Sequence, residues 1–383
     1  MKPKLLFVID TLEIGGAERS LCEILGTMRT CDPVLCRLYP GDGLADAYHD
    51  AGVRTIALHI KGKYNFYNAV AALRSVIRSE QPDLVVTTLF RSDVVGRIAG
   101  LLERIPVVSS FVNDTYSPIR VGAMGFRRRA KHRALQALDA ATARFATHFI
   151  SNSYAIANSN ARTLGISRGN ITVIYRARDA SRFAGARASR LPAKGPIVIL
   201  NVARLEDRKG QLDIIAAMPQ IRKACPRALL KIAGEGAFRT ILEQRIEELD
   251  LSDCIDLLGS RDDIPQLLAD AHVFVSASEY EGLPGAVIEA MLAGVPMTLS
   301  NMDVHREMQV ENAAVPLFPL NDADGIAQAV VALLSDYASS SRHAGTRRIW
   351  AHETFNLAKV VAQHEELYRG LITKTASRNS RRV

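Results

Sequence analysis

Two hydrophobic periods alternate along the whole chain, and that alternation limits the fold more than any single residue does. Short apolar runs (Leu5–Ile9, Val34–Leu38, Thr55–Leu58, Leu84–Thr88, Val107–Ser110, Phe149–Ser151) are separated by amphipathic segments of helical period. Runs that are apolar at nearly every position suit strands covered on both faces, and regular strand–helix alternation predicts a parallel sheet with helices on each side. The rhythm restarts with Ile197–Val202, Leu229–Ile232, Ile255–Leu258, Val273–Val275 and Pro296–Leu299. Between the two series, Ser181–Pro196 is rich in Ala, Arg, Gly and Pro and has no sustained period, which predicts an exposed connection. With 383 residues there is enough chain for two cores. The expected class is therefore α/β with two doubly wound domains, residues 1–180 and 190–350. Phe355, Val360, Val361, Leu367, Tyr368 and Leu371 mark a further amphipathic helix near the end, expected over 355–372. The last stretch, TKTASRNSRRV, reads as a frayed polar tail.

Composition narrows the functional classes. Hydrophobic residues make up 48% and charged residues 23%, which excludes disordered and membrane-embedded chains. Leu5–Ile9 is too short for a signal core or a span. The five cysteines (Cys22, Cys31, Cys36, Cys225, Cys254) show no paired spacing, so neither a disulfide framework nor a zinc site is expected, and a reducing cytoplasm is the default. The net charge of +8 is uneven. Residues 1–190 hold 27 Lys/Arg against 15 Asp/Glu, leaving 21 against 25 for the rest. A basic first half suits an anionic partner such as a membrane surface or a phosphorylated acceptor, and equally a solvated face.

Four segments carry residues suited to chemistry. In LLFVIDTLEIGGAERS, Gly15 and Gly16 precede a helix expected from about Ala17, where close backbone approach and free amides favour a phosphate, though a bare strand-to-helix turn has the same pattern. In ILNVARLEDRKGQLD, Arg204 and Lys209 follow the first strand of the second series. Loops at the carboxyl ends of parallel strands face ligands, and two cations there can clamp a diphosphate without a metal; the alternative is a pair of solvated charges. In KIAGEGAFRT, Gly236 and Gly234 flank Glu235 at another such junction, a site lip or a tight turn. The sharpest signal is SASEYEGLPGAVIEAM. Pro284 places a helix start near Leu283–Gly285, with Glu281 in the loop before it and Glu289 in its second turn. Carboxylates accept the paired hydroxyl hydrogens of sugars and riboses, while the alternative roles are a helix-dipole partner and a solvated face.

Taken together, Glu281 and Glu289 within EGLPGAVIEAM, Arg204 and Lys209 within ARLEDRKG, and the early GGAER segment resemble glycosyltransferase family 4, over residues 4 to about 370. The resemblance implies a GT-B fold: two Rossmann-like doubly wound parallel-sheet domains facing a central cleft, with the C-terminal helix crossing back to the first. It implies a retaining transferase that moves a hexose-type sugar from a UDP- or GDP-sugar to a saccharide or lipid-linked acceptor, in bacterial surface polysaccharide or glycolipid synthesis. By the same resemblance Arg204 and Lys209 neutralise the diphosphate, touched from the other domain by Gly15 and Gly16. Glu289 holds the ribose, and Glu281 holds the transferred sugar with backbone of Gly282, Leu283 and Pro284. Glu235 and Gly236 line the donor, and Gly259 and Arg261 lie near the base. No cofactor or metal is implied.

Three departures from the family pattern stand out. VVSSFVNDTYSP has Asn113 and Asp114, assigned to the acceptor side, where many members have a His. Ala203 replaces a usual Gly, and Tyr175–Asp179 replaces an Asn-Gly turn. The run FRRRAKHRALQAL (Arg127, Arg128, Arg129, Lys131, Arg133) suits either peripheral contact with anionic membrane or an ordinary solvated helix, and nothing accompanies it to suggest nucleic acid. A sugar-nucleotide epimerase of the same fold, or a relative that binds nucleotide sugar without turnover, shares most of these features.

Overall fold

Each apolar run forms a strand in the computed structural model, which describes residues 2–122, 124–185 and 190–380. The first sheet contains β1 (Lys4–Ile9), β2 (Asp32–Arg37), β3 (Arg54–Ala57), β4 (Leu84–Thr88), β5 (Val107–Phe111), β6 (His148–Ser151) and β7 (Ile171–Val173), all parallel in the order β3-β2-β1-β4-β5-β6-β7. The second contains β8 (Ile197–Val202), β9 (Ala228–Ala233), β10 (Ile255–Gly259), β11 (Val273–Ser276), β12 (Met297–Ser300) and β13 (Leu317–Phe318), parallel in the order β10-β9-β8-β11-β12-β13. The edge strands β7 and β13 span three and two residues and escape the sequence pattern.

Both orders reverse direction beside the first strand of the sheet, between β1 and β4 and between β8 and β11. In open parallel sheets the loops at such a switch point part and leave room for a ligand beyond the carboxyl ends.

Alternation along β1 builds two cores at once. Leu5, Phe7 and Ile9 pack with Leu21, Leu25, Val360 and Tyr368 on one face, and Leu6 and Val8 with Leu73, Ile77 and Val95 on the other. Helix ends follow local chemistry. Ser153 accepts from the Ile156 amide at 3.1 Å to start Tyr154–Leu164, and Gly165 closes it in the left-handed region at φ 67°.

The described residues of Met1–Arg178 and Asn356–Val383 form one compact unit, and Asp179–Phe355 forms the other. Three expectations change here. The segment after Asp179 is not all connection: Ala180–Phe183 makes a helical turn whose Phe183 is buried, while 186–189 lie outside the described residues. Phe355 does not begin the last helix but ends the segment before it, packed edge-on against Trp350 at 5.2 Å. As far as Ser380 the polar tail is helical rather than frayed: one helix runs Leu357–Ser380, because after Leu371 and Ile372 nothing in TKTASRNS breaks it, while 381–383 lie outside the described residues. That helix is tied to the first unit by Glu365, whose Oε1 accepts from the amides of Arg29, Thr30 and Cys31 at 2.8, 2.5 and 3.0 Å.

Candidate active site

The carboxyl ends of β8 and β11 hold a connected set of charges. After β8 the chain turns through Asp207–Lys209 and enters the helix Gln211–Ala224 at Gly210, which sits at φ 66° with a would-be Cβ 2.3 Å from the Ala277 carbonyl. Only glycine fits there, so the turn lies hard against the loop after β11 and drives the Lys209 side chain inward. Lys209 Nζ pairs with Glu281 Oε1, to which Ser278 Oγ also donates at 3.0 Å. Arg208 reaches Glu281 Oε2 at 3.8 Å and Glu206 at 2.8 Å, and donates to the Tyr280 carbonyl at 3.1 Å. Arg204 joins through Glu206 at 3.1 Å, with its side chain 62% exposed against 10% for Lys209.

Burial alone would raise the Glu281 carboxyl, but the Lys209 ammonium, the Arg208 guanidinium and the Ser278 hydroxyl together hold it below the ordinary carboxylate range. Glu281 is therefore an acceptor at neutral pH, and Lys209 keeps donor capacity beyond the proton it gives Glu281.

The neighbouring loops are locked to this one. Leu205 N donates to the Glu235 carbonyl at 3.0 Å, and Gly234 N to the Gly259 carbonyl at 2.8 Å. A Cβ at Gly234 would meet the Ala203 carbonyl at 1.9 Å, and one at Gly236 the Leu205 carbonyl at 2.2 Å. These glycines thus serve the packing of loop on loop, while Ala203 itself is accommodated half-buried. Glu235 pairs with Arg239 at 2.7 Å, and Arg261 with Asp263 at 2.5 Å, both on the exposed side. Leu283 and Pro284 are buried, Pro284 caps the helix Gly285–Ala293, and Glu289 is its single charged residue, half-buried in a segment otherwise apolar. Arg204, Lys209 and Glu281 are therefore joined in one network, with Glu235, Gly236 and Gly259 on the adjoining loops.

Arg208, Glu206, Ser278 and His305 were not anticipated. Ser300 Oγ donates to the Ser278 carbonyl at 2.6 Å, and His305 Nδ1 donates to the Ser300 carbonyl at 2.8 Å, leaving Nε2 unprotonated. Burial pushes His305 down to about 4. A basic residue inside ARLEDRKG was visible for Arg208; His305 has no local signal, since its place comes from the return of β12.

In the first unit Gly15 stands before the helix Gly16–Thr27, whose start has no side-chain cap. A Cβ on Gly16 would lie 3.5 Å from Arg176 Nη1. Within the segment that replaces the family's Asn-Gly turn, Arg178 donates to Ser20 Oγ at 3.2 Å, so this stretch fastens the chain to that helix. Asp10 accepts from Ser92 N and Oγ at 2.8 and 2.7 Å and from Arg91 Nε at 2.8 Å, holding the turn where Leu89 takes φ 78° and ψ 150°, a region otherwise left to glycine. Asn113 is exposed, and Asp114 accepts from Ser159 Oγ at 2.9 Å.

The family model described as Glycosyltransferase Family 4 matches residues 14–182, and that described as Glycosyl transferases group 1 matches residues 184–348. The chain belongs to glycosyltransferase family 4. Among relatives of the family, it is 29% identical over 246 residues to a glycogen synthase of Mycobacterium tuberculosis, covering 64% of this chain but only 59% of that protein. It is 25% identical over 314 residues to the UDP-Gal:alpha-D-GlcNAc-diphosphoundecaprenol alpha-1,3-galactosyltransferase of Escherichia coli, covering 79% of each. The crystal structure of HepE from Anabaena in complex with UDP superposes with a TM-score of 0.82 at 21% identity, covering 96% of this chain and all of that one, which makes the fold GT-B.

Proposed function

We propose that the chain is a retaining hexosyltransferase that takes its sugar from a UDP- or GDP-sugar and delivers it to a saccharide or lipid-linked acceptor, in the synthesis of a surface polysaccharide or glycolipid. The observation that carries this reading is the network Arg204–Glu206–Arg208–Glu281–Lys209 at the switch point of the second sheet. Breaking the bond between the anomeric carbon and the diphosphate oxygen leaves negative charge on the phosphate and positive charge on the sugar. Cations fixed in advance beside the departing phosphate lower that barrier. Lys209 and Arg204 supply them, and Glu281 accepts hydroxyl hydrogens of the sugar. The acceptor oxygen bonds to the anomeric carbon on the face the diphosphate leaves, and its proton passes to the departing phosphate. Glu289 is assigned to the ribose, Gly259 and Arg261 to the base side, and Asn113 and Asp114 to the acceptor. The likeness to a UDP complex of HepE and to a galactosyltransferase acting on a diphospholipid supports the donor and acceptor classes.

No metal has a part in this scheme, so turnover survives excess EDTA. The test of the donor is a thermal-shift comparison of UDP and GDP, followed by nucleotide release with candidate acceptors. Binding without release, or isomerisation of the donor without transfer, replaces the proposal by its two rivals.

No helix among the described residues is long and apolar enough to cross a membrane. We assign a peripheral contact to the helix Phe126–Ala143, where Phe126 is 87% exposed and Arg127, Arg128, Lys131 and Arg133 are exposed beside it. Lys131 lies 4.7 Å from the ring of Tyr64. An apolar ring among cations fits the boundary of an anionic bilayer, each cation adding about 1 kcal/mol. Sedimentation with phosphatidylglycerol vesicles but not with phosphatidylcholine vesicles, lost in Phe126→Ser with Lys131→Glu, is the expected result; equal sedimentation with both rejects the contact.

A further inference from the structure

Glu281 carries the proposed contact with the transferred sugar, yet its side chain rotates about several single bonds and has no fixed direction of its own. Lys209 does not supply one. An ammonium on a four-carbon stem is a point charge with rotatable donors, and it follows a carboxylate rather than aiming it. A donor fixed close to the backbone does aim it. Ser278 lies in the loop between β11 and the helix Gly285–Ala293, is 2% exposed, and donates from Oγ to Glu281 Oε1 at 3.0 Å.

Ser278 is held in its turn. Its carbonyl accepts from Ser300 Oγ at 2.6 Å, and the Ser300 carbonyl accepts from His305 Nδ1 at 2.8 Å. Ser300 ends β12, His305 lies in the short helix after it, and both are fully buried. The loop that carries Glu281 is thus tied to the end of the neighbouring strand.

The two oxygens of the carboxylate are used unequally. Oε1 takes both Lys209 and Ser278, which fills its lone-pair directions. Oε2 takes no hydrogen bond from any described residue: Arg208 Nη1 stands 3.8 Å away and donates instead to the Tyr280 carbonyl at 3.1 Å. The Glu281 side chain keeps 16% of its surface open.

We propose that Ser278, backed by Ser300, is a positioning residue for sugar binding: it fixes Glu281 by Oε1, so that Oε2 is the oxygen offered to a hydroxyl of the sugar. This rests on the reading of Glu281 as the carboxylate that holds the transferred sugar. A carboxylate fixed beforehand gives up little side-chain freedom when the sugar nucleotide arrives.

The test is calorimetric titration of the full chain with UDP, UDP-glucose, UDP-galactose, GDP and GDP-mannose. The quantity read is the Kd of the tightest sugar nucleotide divided by the Kd of its own diphosphate. Ser278→Ala raises this ratio by about three- to tenfold, the loss of one hydrogen bond. Ser278→Cys, with a similar shape and a weak donor, does the same, and Ser300→Ala moves it the same way by less. Glu281→Ala raises it at least as far as Ser278→Ala. A loop merely loosened by substitution weakens diphosphate and sugar nucleotide alike and leaves the ratio unmoved, and a cooperative Trp350 unfolding transition shows that each variant is folded. A wild-type ratio in either Ser278 variant, where Glu281→Ala raises it, overturns the inference and leaves Glu281 on the sugar. A wild-type ratio in Glu281→Ala, or no binding of any of these nucleotides, overturns the reading of Glu281 and the inference with it.

Discussion

Arg204 and Lys209 have the same charge and the same proposed task, yet their surroundings predict different behaviour when each is removed. Lys209 is buried against Glu281, so Lys209→Met strands a carboxylate inside the second unit. Breaking a buried pair costs about 3–5 kcal/mol, and the lower end applies because Ser278 and Arg208 still face Glu281. At a urea slope of about 2 kcal/mol/M, a loss of about 3 kcal/mol moves the unfolding midpoint down by roughly 1.5 M. Arg204 is mostly exposed and held only through Glu206, a bridge worth about 0–1 kcal/mol, so Arg204→Ala leaves the midpoint almost unchanged. On catalysis the two agree: each removes charge stabilisation from the leaving diphosphate, lowering turnover by about 10²–10³-fold. The chain's one tryptophan, Trp350, lies in the second unit and reports its unfolding by fluorescence, while nucleotide release from whichever sugar nucleotide shifts the melting temperature reports turnover. Wild-type turnover in Arg204→Ala would refute the electrostatic role, and a wild-type midpoint in Lys209→Met would refute the buried pair.

Three further outcomes follow from the same contacts. His305 has its folded pKa depressed to about 4 from 6.5, so its contribution is intact above pH 6.5 and is lost as pH falls toward 4; at 1.36 kcal/mol per unit the second unit loses about 2 kcal/mol by pH 5, and His305→Asn flattens the Trp350 midpoint between pH 7 and 5. Gly234→Ala forces a methyl group into the Ala203 carbonyl at positive φ, costing about 1–3 kcal/mol and displacing the Arg204 loop, so that nucleotide release falls along with stability. Glu365→Gln leaves the amides of Arg29, Thr30 and Cys31 with a weaker acceptor and costs about 1–3 kcal/mol, seen as faster hydrogen exchange in the helix Leu357–Ser380, with turnover at saturating donor the control.

The fold was largely legible because parallel strands covered on both faces announce themselves as unbroken apolar runs. β4 and β8 have the predicted ends, and most other predicted strands differ by one or two residues. What escaped was edge structure: β7 and β13 are too short for a run to form, and each exists because a neighbouring strand offers it a ladder. The tail escaped for a related reason. Its polarity suggests a frayed end, whereas a helix already anchored by Val360, Tyr368 and Glu365 continues to Ser380 through polar residues that do not break it.

At the site, the legible part is what the chain keeps local. Arg204 and Lys209 share one loop, and Pro284 announces the helix after Glu281, so these positions could be named from spacing. Their mutual pairing could not, because β8 and β11 are neighbours only through the reversal of strand order, which no local pattern encodes. The same reversal gives the glycines a meaning their sequence context conceals: Gly210, Gly234 and Gly236 each face a backbone carbonyl of a loop far away in sequence or on a neighbouring strand. Packing loop against loop at the switch point is what buries Lys209 and aligns Glu281 before any ligand arrives. A site that must stabilise charge at the moment of bond breaking needs its dipoles and cations held beforehand, and here that rigidity comes from residues whose side chains are absent.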